Sequence, residues 1–145
     1  EIAAIFSGNV PEVRMVCEAY GSLLGTAFQI RDDMLGIWGD PAVTGKPVGA
    51  DIRKRKKTLP IIHAFEKATD EDRGRLTAIY SNEAEAPDPA LVSAILDRAG
   101  SYAFAEEYMR TYLQKASASA AKLPISEWGR QNLEEVALYM VGRTS

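Results

Sequence analysis

Residues 10–38 read Val-Pro-Glu-Val-Arg-Met-Val-Cys-Glu-Ala-Tyr-Gly-Ser-Leu-Leu-Gly-Thr-Ala-Phe-Gln-Ile-Arg-Asp-Asp-Met-Leu-Gly-Ile-Trp. Val13, Val16, Cys17, Tyr20, Leu24, Ala27, Phe28, Leu35 and Trp38 fall on one stripe at about 3.6-residue spacing, which predicts a long amphipathic helix. Pro11 suits the first helical position and Glu12 the positive end of the helix dipole. Gly39, Asp40 and Pro41 end the pattern. The other face collects Gly21, Gly25, Gln29, Asp32 and Gly36, with Asp33 at its edge. Each helical glycine costs about 1 kcal/mol against alanine. Three on one face therefore suggest a close neighbour or a ligand groove.

The same periodicity continues on both sides. Glu1–Phe6 reads as the tail of an apolar helix begun upstream, so a fragment of a longer protein is expected, and Ser7-Gly8-Asn9 as a stop and restart. Residues 39–50 hold three Gly and two Pro and read as a loop. Thr58 with Pro60 opens a helix to about Ala68, and Asp70 caps another to about Tyr80. After a polar loop, Ser81–Pro87, Asp88-Pro89 starts a helix with Val92, Ile95, Leu96 and Ala99 on one face. Gly100 interrupts, Tyr102–Leu123 continues, and Ser126 caps a last helix over Glu127–Gly142. No run alternates with period two and no Asn-Gly hairpin occurs. The expectation is an all-α chain, residues 1–145 forming a single domain.

Composition narrows the function. Apolar residues make up 46% of the 145 and the formal net charge is −3, which argues against disorder. No apolar run approaches the ~20 residues of a membrane span. The lone Cys17 excludes an internal disulfide framework and a cysteine zinc site, fits a reducing, cytoplasmic setting, and reads as core. His63 reads as a helix-face residue without a catalytic role, since nothing pairs with it in the sequence.

Two features stand out against that background. Arg53-Lys54-Arg55-Lys56-Lys57 is a run of five basic residues, and Asp32-Asp33 sits in an apolar stretch. Two carboxylates near a helix C-terminus repel each other and the dipole, and a bound cation removes the conflict. Hard oxygen ligands favour Mg²⁺ or Ca²⁺, and Mg²⁺ commonly takes one or two carboxylates plus waters and substrate phosphates. The alternative is a pair of solvated acids joined to Arg31 or a lysine. Lys46, Asp51, Lys56 and Lys57 follow closely and could hold a polyphosphate alongside the metal. A nucleic-acid patch over residues 53–57 is disfavoured, because the run lacks interleaved aromatics and the chain is acidic.

The stretch from Gly25 to Pro60 carries three linked elements. They are Phe28-Gln29-x-x-Asp32-Asp33, then Gly45-Lys46-Pro47-x-Gly49-x-Asp51, then Lys56-x-Thr58-Leu59-Pro60. In this order and spacing they resemble the second aspartate-rich region of the trans-polyprenyl diphosphate synthases, the farnesyl and geranylgeranyl diphosphate synthase family. Tyr139-Met140-Val141-Gly142-Arg143 is similar to a usual family C-terminus. The resemblance spans the whole chain but only the C-terminal half of the family's domain, so it implies the C-terminal portion of an isoprenoid-synthase-type helical bundle. The family's earlier aspartate-rich motif and its upstream basic residues are not in this sequence. The local motif departs from Asp-Asp-x-x-Asp at Gly36, and Asp40 could serve only if the helix persisted.

The resemblance implies a condensation of isopentenyl diphosphate with an allylic diphosphate by ionisation, addition and proton loss. It implies Mg²⁺ held by Asp32, with Asp33 and Asp51 holding its waters or reinforcing it. Lys46 and Lys56 would contact the allylic diphosphate, and Gln29 would line the site near the cation. Gly21 and Gly25 would leave room for a prenyl tail or for a packed helix. Lys54, Arg55 and Lys57 would add accessory positive field. The 145-residue chain alone is expected to be inactive, with a second copy or the family's N-terminal half covering its apolar surface. Alternatives are a non-catalytic helical subunit and a terpene cyclase of related fold.

Overall fold

The computed structural model describes residues 11–82 and 84–142, and every regular element among them is a helix. The expected upstream helix over Glu1–Phe6 and the terminal Arg143 lie outside the described residues. In chain order the helices are α1 (Pro11–Trp38), α2 (Pro41–Thr44), α3 (Ala50–Arg53), α4 (Leu59–Lys67), α5 (Asp70–Ser81), α6 (Pro89–Arg98), α7 (Ser101–Ala120) and α8 (Glu127–Val141).

Local chemistry sets most boundaries. Pro11 opens α1, and the chain leaves it at Gly39, whose N–H still bonds to Leu35 O at 2.9 Å. The Asp40 carboxylate accepts from Ala42 N at 2.8 Å and caps α2, so Asp40 serves as a cap and does not extend the acidic motif of α1. Residues 39–50, expected as a loop, thus contain a helical turn. Pro41 nucleates one turn, Gly45 ends it in the left-handed region, and a second turn follows over Ala50–Arg53. Thr69, not Asp70, caps α5, its hydroxyl accepting from Asp72 N at 3.2 Å. Asp88 caps α6, Ser126 caps α8, and Gly100 in the left-handed region separates α6 from α7.

The chain divides into two compact units. The described part of one comprises residues 11–29 and 108–142, where Tyr20 OH donates to Leu133 O at 2.9 Å and Ser119 Oγ to Val16 O at 3.4 Å. Its cleft of about 340 Å³ is lined by Tyr20, Leu113, Ala120, Leu133, Ala137 and Leu138. Cys17 here is half-buried, with a free thiol.

The other unit centres on residues 30–107. Its core is Ile37, Ile52, Ile61, Ala64, Ala68, Leu76, Val92, Ile95 and Leu96. Truncating one of the large members to alanine costs about 2–5 kcal/mol, the range for a filled site losing its contacts. On α1 the buried positions are Leu24, Ala27, Ile30, Met34 and Ile37, while Val13, Val16, Tyr20, Leu35 and Trp38 are half-buried. The buried face is therefore rotated from the expected stripe toward Ile30, Met34 and Ile37. That rotation carries Asp33 inward.

Candidate diphosphate and metal site

Three elements of the second unit converge on Asp33. α1 supplies Asp33 near its C-terminal end, α3 supplies Asp51, and the segment after α3 supplies Lys56. Lys56 Nζ donates to Asp33 Oδ1 at 2.9 Å and to Asp51 Oδ2 at 3.1 Å. The first amide of α4 completes the arrangement, Leu59 N donating to Asp33 Oδ2 at 3.3 Å. Asp33 and Asp51 are buried at 8% and 9% exposure, whereas the Lys56 side chain is 43% exposed. Hydrogen bonding to Asp33, with a further bond to Asp51, raises the Lys56 pKa above its ordinary value against the opposing cost of burial.

Glycines make the approach possible at two places. A Cβ on Gly36 would collide with the Asp51 carboxylate and stand 3.1 Å from Asp51 Cβ, so the bare backbone of α1 at 36 is the seat of that side chain. The residue that breaks the Asp-Asp-x-x-Asp pattern thereby admits a carboxylate from α3. Gly49, at φ 70°, turns the chain back, and its N–H bonds to Ile37 O at 3.1 Å. A Cβ there would stand 2.6 Å from Pro89 Cβ, so neither conformation nor space allows another residue.

Asp32, the neighbour of Asp33, is exposed and has no intramolecular partner among the described residues. Lys46 lies exposed in the turn between α2 and α3, and Gln29 is exposed on α1. The structure thus brings together Asp33, Asp51 and Lys56 and leaves Asp32, Lys46 and Gln29 facing solvent. Among the described residues no three acidic, histidine or cysteine side chains cluster closely enough to form a metal site unaided. The donor set still fits Mg²⁺. One unpartnered carboxylate, Asp32, is free to ligate, the two buried ones are already neutralised in part by Lys56, and phosphate oxygens and water can complete an octahedron.

Two residues behave differently from expectation. Arg55 is half-buried and is not diffuse positive field: Nε donates to Ile79 O at 3.0 Å, and Nη2 donates to Asn82 O and Glu85 O. His63 has partners. Its Nδ1 lies 3.0 Å from the Ser101 hydroxyl and its ring stacks on Phe104 at 4.0 Å. Burial, with the charge of Lys67, lowers its pKa. Ser101 is fully buried, which leaves the pair a packing role.

A profile described as polyprenyl synthetase matches residues 1–97. The chain is 34% identical over 149 residues to a (2E,6E)-farnesyl diphosphate synthase of Mycobacterium tuberculosis, covering 99% of this chain and 41% of that protein. Among solved structures it is similar to a polyprenyl synthetase from Streptomyces coelicolor A3(2), with a TM-score of 0.85 and 31% identity over 97% of this chain and 44% of that one. It is also similar to a geranylgeranyl pyrophosphate synthase from Corynebacterium glutamicum complexed with isoprenyl diphosphate and magnesium, with a TM-score of 0.82 and 29% identity over 94% and 39% of the two chains. The chain spans less than half the length of these relatives. The fold is the all-α isoprenoid synthase fold of those neighbours, and the chain belongs to the polyprenyl synthetase family.

Proposed function

We propose that this chain supplies the second aspartate-rich region of a trans-prenyltransferase that joins isopentenyl diphosphate to an allylic diphosphate. The observation that carries the reading is the Lys56 ammonium bridging Asp33 and Asp51 beside an unpartnered Asp32. Two carboxylates against one ammonium leave that cluster with one negative charge in excess, and Asp32 adds another. Such a site attracts a divalent cation before it attracts an anion. Diphosphate binding is therefore metal-dependent.

Magnesium, when bound, would take up the charge that builds on the departing diphosphate. Asp32 is the residue that would hold it. Asp33 and Asp51 fix the Lys56 ammonium, so its remaining proton is aimed without reorganisation. Lys46, exposed in its turn, is the second cation for the phosphate oxygens, and Gln29 on α1 keeps the cation-lining role that the resemblance implies. The N-terminal half of the family's domain would complete the metal cage, so residues 1–145 alone should not turn over substrate. We propose that they fold as part of a single domain with that half, or with a second copy, on their apolar surface.

Calorimetry with inorganic pyrophosphate, with and without Mg²⁺, tests the site. Binding is expected only with Mg²⁺, and equal affinity in its absence would overturn the reading. In the full-length protein Asp32→Ala should lower kcat more than it raises KM, by roughly two orders of magnitude, because leaving-group charge peaks in the transition state. A natural short subunit without activity would instead bind the pyrophosphate complex no better than free Mg²⁺.

A further inference from the structure

Arg55 has φ 50° and is the sole non-glycine residue with positive φ among the described residues. Side chains with a Cβ are strained there, so some interaction must hold it in place. Three backbone carbonyls do so. Ile79 O belongs to the last turn of α5, where carbonyls lack intrahelical donors, and Asn82 O and Glu85 O follow in the segment leading to α6. A planar guanidinium carries enough donors, in a fixed fork, to serve all three.

The strained residue sits immediately before Lys56. Its own N–H bonds to Ile52 O at 2.8 Å, and Lys56 N bonds to Asp51 O at 2.9 Å, so α3 ends in a tight reversal with Arg55 at its apex. That reversal brings the Lys56 side chain back onto Asp51, only five residues earlier, and across to Asp33. An extended or right-handed residue at 55 would send Lys56 elsewhere. Arg53, Lys54 and Lys57, in the same basic run, are exposed.

We infer that Arg55 is the positioning residue for Lys56: its grip on the end of α5 holds the left-handed turn that points the ammonium at Asp33 and Asp51. The inference deepens the diphosphate reading and rests on it for what Lys56 then does. It also links the site to the chain around Asn82 and Glu85, which reports on Lys56 through the guanidinium.

The test is amide hydrogen exchange in the full-length protein for Arg55→Ala, Arg55→Gly and Arg55→Lys. Lys56 N and Leu59 N, both bonded within the site, are the reporters, and the α6 amides are the control. Exchange at both reporters should rise at least tenfold in Arg55→Ala and Arg55→Gly, with α6 unchanged. Arg55→Lys, which can reach one carbonyl, should fall between. Glycine relieves the backbone strain, so Arg55→Gly should melt no lower than Arg55→Ala yet lose the positioning equally. If Arg55→Ala does not fold, Arg55→Gly decides alone. Reporter rates within twofold of wild type, or a uniform rise that includes α6, would overturn the inference. Titration with Mg²⁺ and pyrophosphate should show at least fivefold weaker binding for Arg55→Ala and Arg55→Gly. Absence of binding by the wild-type protein would sink the diphosphate reading, while the exchange rates still decide the role of Arg55.

Discussion

Lys56 Nζ lies 2.9 Å from Asp33 Oδ1, and the two residues are 23 apart in the chain. The ion pair joins the end of α1 to the segment between α3 and α4 and brings Asp51 with it. Removing the ammonium leaves two buried carboxylates facing each other. Lys56→Met should destabilise the protein by about 1–2 kcal/mol, below the 3–5 of a fully buried pair, because the lysine is partly solvated. The same variant gains a place for a cation. Adding Mg²⁺ should raise its melting temperature more than that of the wild type. An equal response of both proteins to Mg²⁺ would count against carboxylates held together by Lys56.

Asp72 and Arg98 form a fork across 26 residues, Arg98 Nε to Asp72 Oδ2 at 2.9 Å and Nη2 to Oδ1 at 2.8 Å. The hydrogen bonds from Arg98 hold the Asp72 carboxyl below its ordinary pKa of 3.8. A carboxylate whose folded pKa is depressed contributes stability that is complete above the unfolded pKa and is lost as pH falls through the folded one. Urea unfolding from pH 7 to 3 should therefore show stability declining below about pH 4. Asp72→Asn should be less stable at pH 7 and decline less steeply in acid. A variant with the wild-type slope would show that the fork does not carry this proton linkage.

The sequence made the helix boundaries legible where the signal was local. Pro11, Gly39, Asp88-Pro89, Gly100 and Ser126 each act within one turn, and the structure ends or starts a helix at each. The site elements were legible for a different reason: Asp33, Asp51 and Lys56 lie within the three linked elements of the family resemblance, and the structure joins them. What pattern reading lost was tertiary. Pro41 and Gly45 looked like loop formers because composition cannot show that Asp40 caps a turn between them. Arg55 reads in the sequence as accessory positive field, like Lys54 and Lys57, because its acceptors are carbonyls 24 to 30 residues away. The pairing of His63 with Ser101 spans 38 residues, beyond any helical period. Asp33 was expected at the edge of the polar face, and the rotation toward Ile30, Met34 and Ile37 that buries it is set by the core of the second unit.

Tyr80 offers a test of how costly an unmet polar group is here. Its ring packs edge-on to Phe65 at 5.7 Å, and its hydroxyl is buried without a hydrogen-bond partner among the described residues. Burial pushes its pKa up to about 12, despite the opposing charge of Arg55. An unpaired buried hydroxyl costs about 1–3 kcal/mol, whereas the ring contributes by apolar burial. Tyr80→Phe keeps the ring and removes the oxygen. It should be neutral or stabilising by up to about 1 kcal/mol. A clear loss of stability in a thermal melt would mean that the hydroxyl makes a bond in solution.

Gly25 and Gly36 lie on the same helix, and their alanine variants should move in different directions. Replacing a helical glycine by alanine gains about 1 kcal/mol in backbone entropy. At Gly25 a Cβ meets nothing within 4 Å among the described residues, so the gain should appear undiminished, as a rise of a few degrees in melting temperature. At Gly36 the same Cβ enters the space of the Asp51 carboxylate. Asp51 must then swing away, its bond to Lys56 lengthens, and the entropy gain is offset. Gly36→Ala should therefore melt no higher than the wild type and bind Mg²⁺-pyrophosphate several-fold more weakly. The contrast separates the two terms, since propensity is common to both substitutions and only one disturbs a carboxylate. A Gly36→Ala protein as stabilised as Gly25→Ala, with undiminished binding, would show that Asp51 does not depend on the bare backbone at 36.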